Sequence, residues 1–141
     1  MAWRILVPFD GSESAREALE YAIELFPDGE FLALTVVDTS AAPFIPNTAS
    51  PETNDELQAM LREADEELTE TRRIADAADV DLESLTRVGS PAQEIVDCTE
   101  RESIDHVVMG SRGRSGVTRI LLGSVAEVVV RHSSATVTVV R

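Results

Sequence analysis

The sequence contains no lysine, and all twelve of its basic residues are arginine. That absence removes several functions at once. A P-loop needs a lysine on the phosphates, a protein kinase needs one in its ATP site, and a Schiff-base enzyme needs one as nucleophile. A response-regulator receiver domain, another small α/β domain with an aspartate after its first strand, also uses a lysine. Cysteine is almost as scarce. Cys98 stands alone, so an intrachain disulfide and a cysteine-based zinc site are excluded, and the residue reads as a small buried hydrophobe. Aromatic residues make up only 4% of the chain, so the core must be built from Val, Leu, Ile and Ala. No apolar run approaches the ~18–20 residues of a membrane span, and the N-terminus enters an apolar run without a cleavable-signal pattern. The expectation is a soluble cytoplasmic protein. Neither an internal repeat nor a low-complexity segment is present, and 141 residues suit one domain spanning positions 1–141.

What the chain has in excess is acid. Twenty-six acidic residues against twelve arginines give a net charge of −14. Such a surface repels nucleic acid and anionic membranes, which discounts both as partners. An acidic surface without lysine also suits a cytoplasm at molar salt, where self-repulsion is screened within a few ångströms. The composition therefore points to a salt-requiring protein of a halophile, expected to lose its fold on dialysis into dilute buffer.

Hydrophobic patterning gives alternating elements. Residues Trp3 to Val7 read as a short buried strand ended by Pro8. Ser14 and Glu17 form a capping-box pattern, and Ala15, Ala18, Leu19, Ala22, Ile23 and Phe26 then recur at helical spacing until Pro27, Asp28 and Gly29 stop the helix. Phe31 to Val37 is a second strand, apolar enough to be buried on both faces. Asp38 to Thr53 is a long connection with three prolines. Thr53 and Glu56 open a helix from Asn54 to about Ala78, whose acidic face, Glu56 to Glu70, reads as solvated. Asp81 to Val88 is a weaker strand. Ser90, Pro91 and Gln93 mark another helix start. His106 to Met109 is a fourth strand. Helical spacing runs from Val117 to Arg131, with Ser124 and Glu127 as a second capping-box pair marking the true helix start, and Ala135 to Val140 is a final strand. His106 and His132 lie far apart without a carboxylate at ligand spacing and read as structural. This alternation argues for a parallel sheet with helices on both faces.

In such a sheet a ligand binds beyond the carboxyl ends of the strands, where the winding reverses. Two features occupy strand ends: Pro8-Phe9-Asp10-Gly11-Ser12, and the glycine-rich GSRGRSG from Gly110 to Gly116. With strand order 3-2-1-4-5 they face each other across one crevice. Glycines allow backbone N–H groups to converge on a phosphate without Cβ atoms in the way. Gly123 and Ser124 precede a helix whose N-terminus offers unpaired N–H groups and a partial positive charge. Arg112 and Arg114 add positive charge. Asp10, an acceptor only, suits a ribose hydroxyl, a base amino group or a metal, or caps the first helix. No Ser-His-Asp, Cys-His or paired-carboxylate arrangement stands out.

Gly110, Gly113, Gly123 and Ser124 follow a G-x2-G-x9-G-S spacing. Composition alone produces that pattern in a chain of this length with a chance of roughly a few in a thousand. The spacing resembles the signature of ATP-binding universal stress proteins. ILVPFDGS, the turn at Gly89, DHVVMGSRGRSG, ILLGSVAEVVVRHS and the valine-rich end are similar to that family in the same order, over essentially the whole chain. The resemblance implies a five-stranded parallel α/β sheet of order 3-2-1-4-5, Rossmann-like, with ATP at the switch point. By position, Pro8, Phe9 and Asp10 line the base and ribose side, with Val36 beside the adenine. Met109, Gly110, Arg112 and Gly113 form the first half of a cradle, while Gly123, Ser124, Val125 and Ala126 hold phosphates with backbone N–H groups. Arg112 stands where many members place His, and Ser134-Ala135 replaces a frequent Cys-Pro. The resemblance further implies a homodimer through the last strand, an edge with no proline or inward charge to protect it.

Three functions follow: an ATP-binding stress-response regulator, a slow ATP hydrolase or phosphoryl-transfer enzyme in which Asp10 holds Mg2+ through water, and a nucleotide-free interaction module. The intact signature favours the first. No catalytic residue is assigned, and nothing in the chain is an obvious activator of a nucleophile.

Overall fold

Strand β1, Arg4–Pro8, shows why the sheet is covered on both sides. Ile5 and Val7 point into one core layer and Leu6 into the other, and all three are inaccessible to solvent. Successive strand side chains alternate between faces, so three apolar residues in a row demand two covering layers. The computed structural model describes residues 2–39, 55–111 and 122–141. In it β1 is followed by α1 (Glu13–Leu25), β2 (Glu30–Asp38), α2 (Asp55–Ala78), β3 (Leu82–Gly89), α3 (Pro91–Arg101), β4 (His106–Gly110), α4 (Ser124–His132) and β5 (Thr136–Val140).

The sheet order is β3-β2-β1-β4-β5, and every neighbouring pair is parallel. The five-stranded parallel sheet expected from the alternation is therefore present, with β1 at its centre and the winding reversing between β1 and β4. The layer on one face joins Leu6, Leu34, Val107 and Met109 to Ile95 and Cys98 of α3 and to Ala126 and Val129 of α4. On the other face Ile5, Val7, Phe31 and Val108 pack against Ala15, Ala18, Leu19 and Ala22 of α1. A smaller group, Val37 with Leu57 and Ala64, seats α2 over the carboxyl end of β2. Glu70 ties α2 to α1 by pairing with Arg16 at 3.3 Å while also holding Arg73. The bond to Arg73, together with the two positive charges, keeps the Glu70 carboxyl below its ordinary range even though burial opposes the shift. Burial pushes the Cys98 thiol up, in keeping with its reading as a core hydrophobe.

Several helix starts differ from the sequence pattern. The cap of α1 is Ser12, whose Oγ accepts from the Ala15 N–H at 3.1 Å, so Ser14 lies inside the first turn. Ser90 does cap α3, but through its carbonyl, and Gln93 bonds Asp97 on its own helix. Helix α4 begins at Ser124 as expected, yet its N-cap is Gly123 and no side chain caps it. Ser124 is the first helical residue, one position too late for its hydroxyl to close a capping box with Glu127. Thr53 and the connection from 40 to 54 lie outside the described residues. His106 is structural: its Nε2 bonds the Thr138 hydroxyl at 2.6 Å and its ring packs on Phe26, with burial holding its pKa down.

Candidate functional site

The carboxyl ends of β1 and β4 flank the reversal of winding, and a cavity of about 460 Å³ opens there. That volume lies within the range of small-molecule sites. Its first wall is the turn after β1. Phe9 continues the sheet pairing by donating its N–H to the Leu34 carbonyl at 2.8 Å, and its own carbonyl accepts from the Thr35 hydroxyl at 2.9 Å. Asp10 accepts from the Ser12 N–H at 3.0 Å. This bond closes the turn and leaves the capping of α1 to Ser12. Gly11 then adopts φ +81°, a backbone conformation that glycine enters without steric penalty.

The second wall is the end of β4 and the start of α4. Ser111, just beyond β4, donates its N–H to the Val140 carbonyl of β5 at 2.9 Å, and its carbonyl accepts from the Gly123 N–H at 2.6 Å. Two short bonds thus fasten the start of α4 to the ends of β4 and β5. The Gly123 N–H is consumed by this clamp, so the donors left to face the cavity are those of Ser124, Val125 and Ala126, which have no acceptor within the helix. Gly123 contributes by having no side chain at the cap.

Ten of the twelve residues expected from the sequence, Pro8, Phe9, Asp10, Val36, Met109, Gly110, Gly123, Ser124, Val125 and Ala126, line this one cavity. Arg112 and Gly113 lie outside the described residues. Sequence reasoning missed the third wall. Helix α2 presents Met60, Glu63, Ala64 and Glu67 to the cavity, and Asp38 joins them from β2. Glu67 lies over the β1 turn, its Oε1 only 3.2 Å from where a side chain on Gly11 would begin. The acidic face of α2 is therefore not wholly solvated. The i, i+4 spacing of Glu63 and Glu67 shows that they share a face, but only the seating of Leu57 and Ala64 on Val37 shows which way it points. Ala15, Leu34, Thr35, Val37, Pro91, Ile95 and Ser111 complete the lining.

The chemistry of the cavity is two-ended. At α4 it offers backbone N–H donors and the positive end of a helix. Near β1 and α2 it offers carboxylates, which accept hydrogen bonds from hydroxyl and amino groups. Among the described residues no cluster of three or more His, Cys, Asp or Glu side chains is arranged to hold a metal, and no helix is long and apolar enough to cross a membrane.

Comparison with known proteins agrees with this fold. The model of the universal stress protein family matches residues 1–141. A universal stress protein of Methanocaldococcus jannaschii is 37% identical over 140 residues, spanning 98% of this chain and 81% of the relative. Among solved structures, the universal stress protein UspA from Lactobacillus plantarum superposes with a TM-score of 0.84 at 26% identity, covering 99% of this chain and 97% of its own. A universal stress protein in complex with cAMP gives a TM-score of 0.74, also at 26% identity, over 99% and 97% of the two chains. The chain belongs to the universal stress protein family.

Proposed function

We propose that the protein binds ATP, carried with Mg2+ on its phosphates, and works in the cytoplasm as a stress-response regulator whose bound nucleotide sets its conformation or choice of partner. One observation carries this reading. The turn after β1 and the first turn of α4, more than a hundred positions apart in sequence, line one cavity whose two ends match the two ends of a nucleotide. The N–H groups of Ser124, Val125 and Ala126 suit phosphate oxygens. Asp10 suits the ribose or the base amino group, and Phe9, Val36 and Met109 supply apolar surface for the ring. Gly113 completes the signature in sequence, and Arg112 adds positive charge next to it. The related structure holding cAMP supports an adenine nucleotide as the class of ligand.

The test begins with protein purified in molar KCl without added nucleotide, then denatured and its supernatant chromatographed. A stoichiometric adenine-nucleotide peak is expected. A Gly113→Val/Ser124→Ala variant that remains folded should lose the peak and bind added Mg-ATP at least about a hundredfold more weakly, because the valine side chain obstructs the close approach of a phosphate to the backbone and the alanine removes a hydroxyl that can bond to it. No peak, and no binding on titration with Mg-ATP, would leave a nucleotide-free interaction module as the better reading.

The proposed assembly is a homodimer through β5. This strand closes the sheet on one side, and Val137, Val139 and Val140 are each only partly covered. An exposed apolar edge without charge or proline is a template for pairing with another strand.

A further inference from the structure

Two charged residues of β3 have nothing to pair with among the described residues of their own chain. Glu83 is exposed and Arg87 half-buried. Arg87 Nε is buried without an acceptor, and neither residue joins an ion pair among the described residues. They share a face of the strand with Leu85, which packs into the α3 layer, whereas Leu82 belongs to the α1 layer. Four residues of strand hold them about 13 Å apart, so they cannot pair with each other.

Strand β3 ends the sheet opposite β5. The Phe31 N–H donates to the Asp81 carbonyl at 3.1 Å, and this sets the alternation that follows. Odd-numbered residues of β3 direct their backbone groups to β2, while Leu82, Ser84, Thr86 and Val88 direct theirs outward. The strand runs eight residues without a proline, so its outward row is a template for another strand. A second copy laid antiparallel about a two-fold axis at Leu85 has the matching parity. Leu82 then faces the partner's Val88, and Ser84 the partner's Thr86, as hydrogen-bonded pairs. In the closer, non-hydrogen-bonded positions Leu85 meets the partner's Leu85 and Arg87 meets the partner's Glu83. The two-fold repeats the charge pair, so both unpaired charges of each chain are matched. Val88, 47% exposed, is covered at the same time. Registers centred on Glu83 or on Arg87 bring like charges together instead, which is destabilising.

We propose that the β3 edge is a second self-association surface, on which two copies of this chain pair antiparallel about Leu85 through reciprocal Arg87–Glu83 contacts. It is weaker than the proposed β5 pairing, because opposite charges across a strand pair contribute little and Val88 is its one large exposed apolar residue. In dilute protein it leaves the β5 assembly as it is; at high concentration it joins particles edge to edge.

The experiment is disulfide trapping in molar KCl with copper–phenanthroline in air, read on non-reducing gels. Cys98 is buried, so wild-type protein is the blank. Leu85→Cys should give a two-chain product, since the facing Cα atoms lie within disulfide reach. Thr86→Cys should not, because its counterpart is displaced by two residues and lies beyond that reach. Added to Leu85→Cys, either Glu83→Arg or Arg87→Glu should slow trapping about fivefold or more by setting like charges opposite each other. The double exchange Glu83→Arg/Arg87→Glu, which leaves the net charge unchanged, should restore the rate within about twofold. The same charge series without the cysteine is read by small-angle scattering, which covers the case in which Leu85→Cys does not fold. Particle mass should rise with protein concentration in wild type and in the double exchange, and stay flat in either single reversal. Trapping of Leu85→Cys no faster than the blank, equal trapping of Thr86→Cys, single reversals without effect, or a wild-type mass that stays flat with concentration would each overturn the proposal.

Discussion

Replacing Gly110 by alanine should cost about 3 kcal/mol of stability, at the upper end for overpacking, and lower the thermal midpoint by roughly 10 °C. Gly110 ends β4 directly against the first turn of α1. A Cβ placed there would lie 2.9 Å from the Ser14 carbonyl oxygen and 3.0 Å from its carbon, with the Ser14 hydroxyl closer still. The hydroxyl could rotate away, but the backbone of a helical turn cannot, because α1 is pinned through Ala15, Ala18 and Leu19 to the sheet. The first glycine of the signature is therefore set by helix-to-sheet packing as well as by any ligand. Thermal denaturation in molar KCl checks this; a midpoint within about 2 °C of wild type would show that α1 can shift to make room.

Converting the β5 edge from apolar to charged should turn a dimer into a monomer. Wild-type protein is expected to sediment in molar KCl at twice its chain mass of 15.3 kDa. A Val137→Lys/Val139→Lys variant should sediment at the single-chain mass, its dimer dissociation constant raised by two orders of magnitude or more, since each pairing would bring like charges together at close range. Both valines lie on the face that packs against α4 but are only partly covered. A lysine stem can lie along that surface and carry its ammonium to water, which keeps the fold while protecting the edge. Wild-type protein that sediments only as a monomer would rule out the assembly. A variant that remains dimeric would place the interface elsewhere.

Much of this arrangement is written locally in the chain. The apolar runs at Ile5–Val7 and Val107–Met109 are each too short for a helix and too uniformly apolar for a half-exposed strand, so a doubly covered parallel sheet follows from them. Given that sheet, the turn at Pro8–Ser12 and the glycine stretch from Gly110 fall at strand ends, and the order 3-2-1-4-5 brings them together. What escaped the sequence depends on relations between elements. Ser12 and Ser14 both stand near the start of α1, and which of them caps it is settled by where the Asp10 turn leaves the chain. Glu63 and Glu67 are spaced like any acidic pair on a solvated helix, and only the docking of α2 on Val37 turns them toward the cavity. The loss of the Gly123 N–H to the Ser111 carbonyl has no local signature, because it joins two strand ends and a helix start that the sequence separates.

The placement of β1 also bears on when during synthesis the molecule can become whole. The strand made first lies in the middle of the sheet, and its residues Ile5 and Leu6 meet Phe31 and Leu32 early but wait for His106 and Val107 on the other side. Arg4 and Asp105, which bond at 2.8 Å, are 101 positions apart. Until β4 emerges from the ribosome, one edge of the growing sheet has nothing to pair with, the condition under which nascent chains associate wrongly. The cavity is later still, because Ser111 is held by the carbonyl of Val140. A nascent chain has the β1 half of the pocket long before the α4 half can be locked beside it, so a ligand that needs both halves can be held only by a chain whose last strand has already been made.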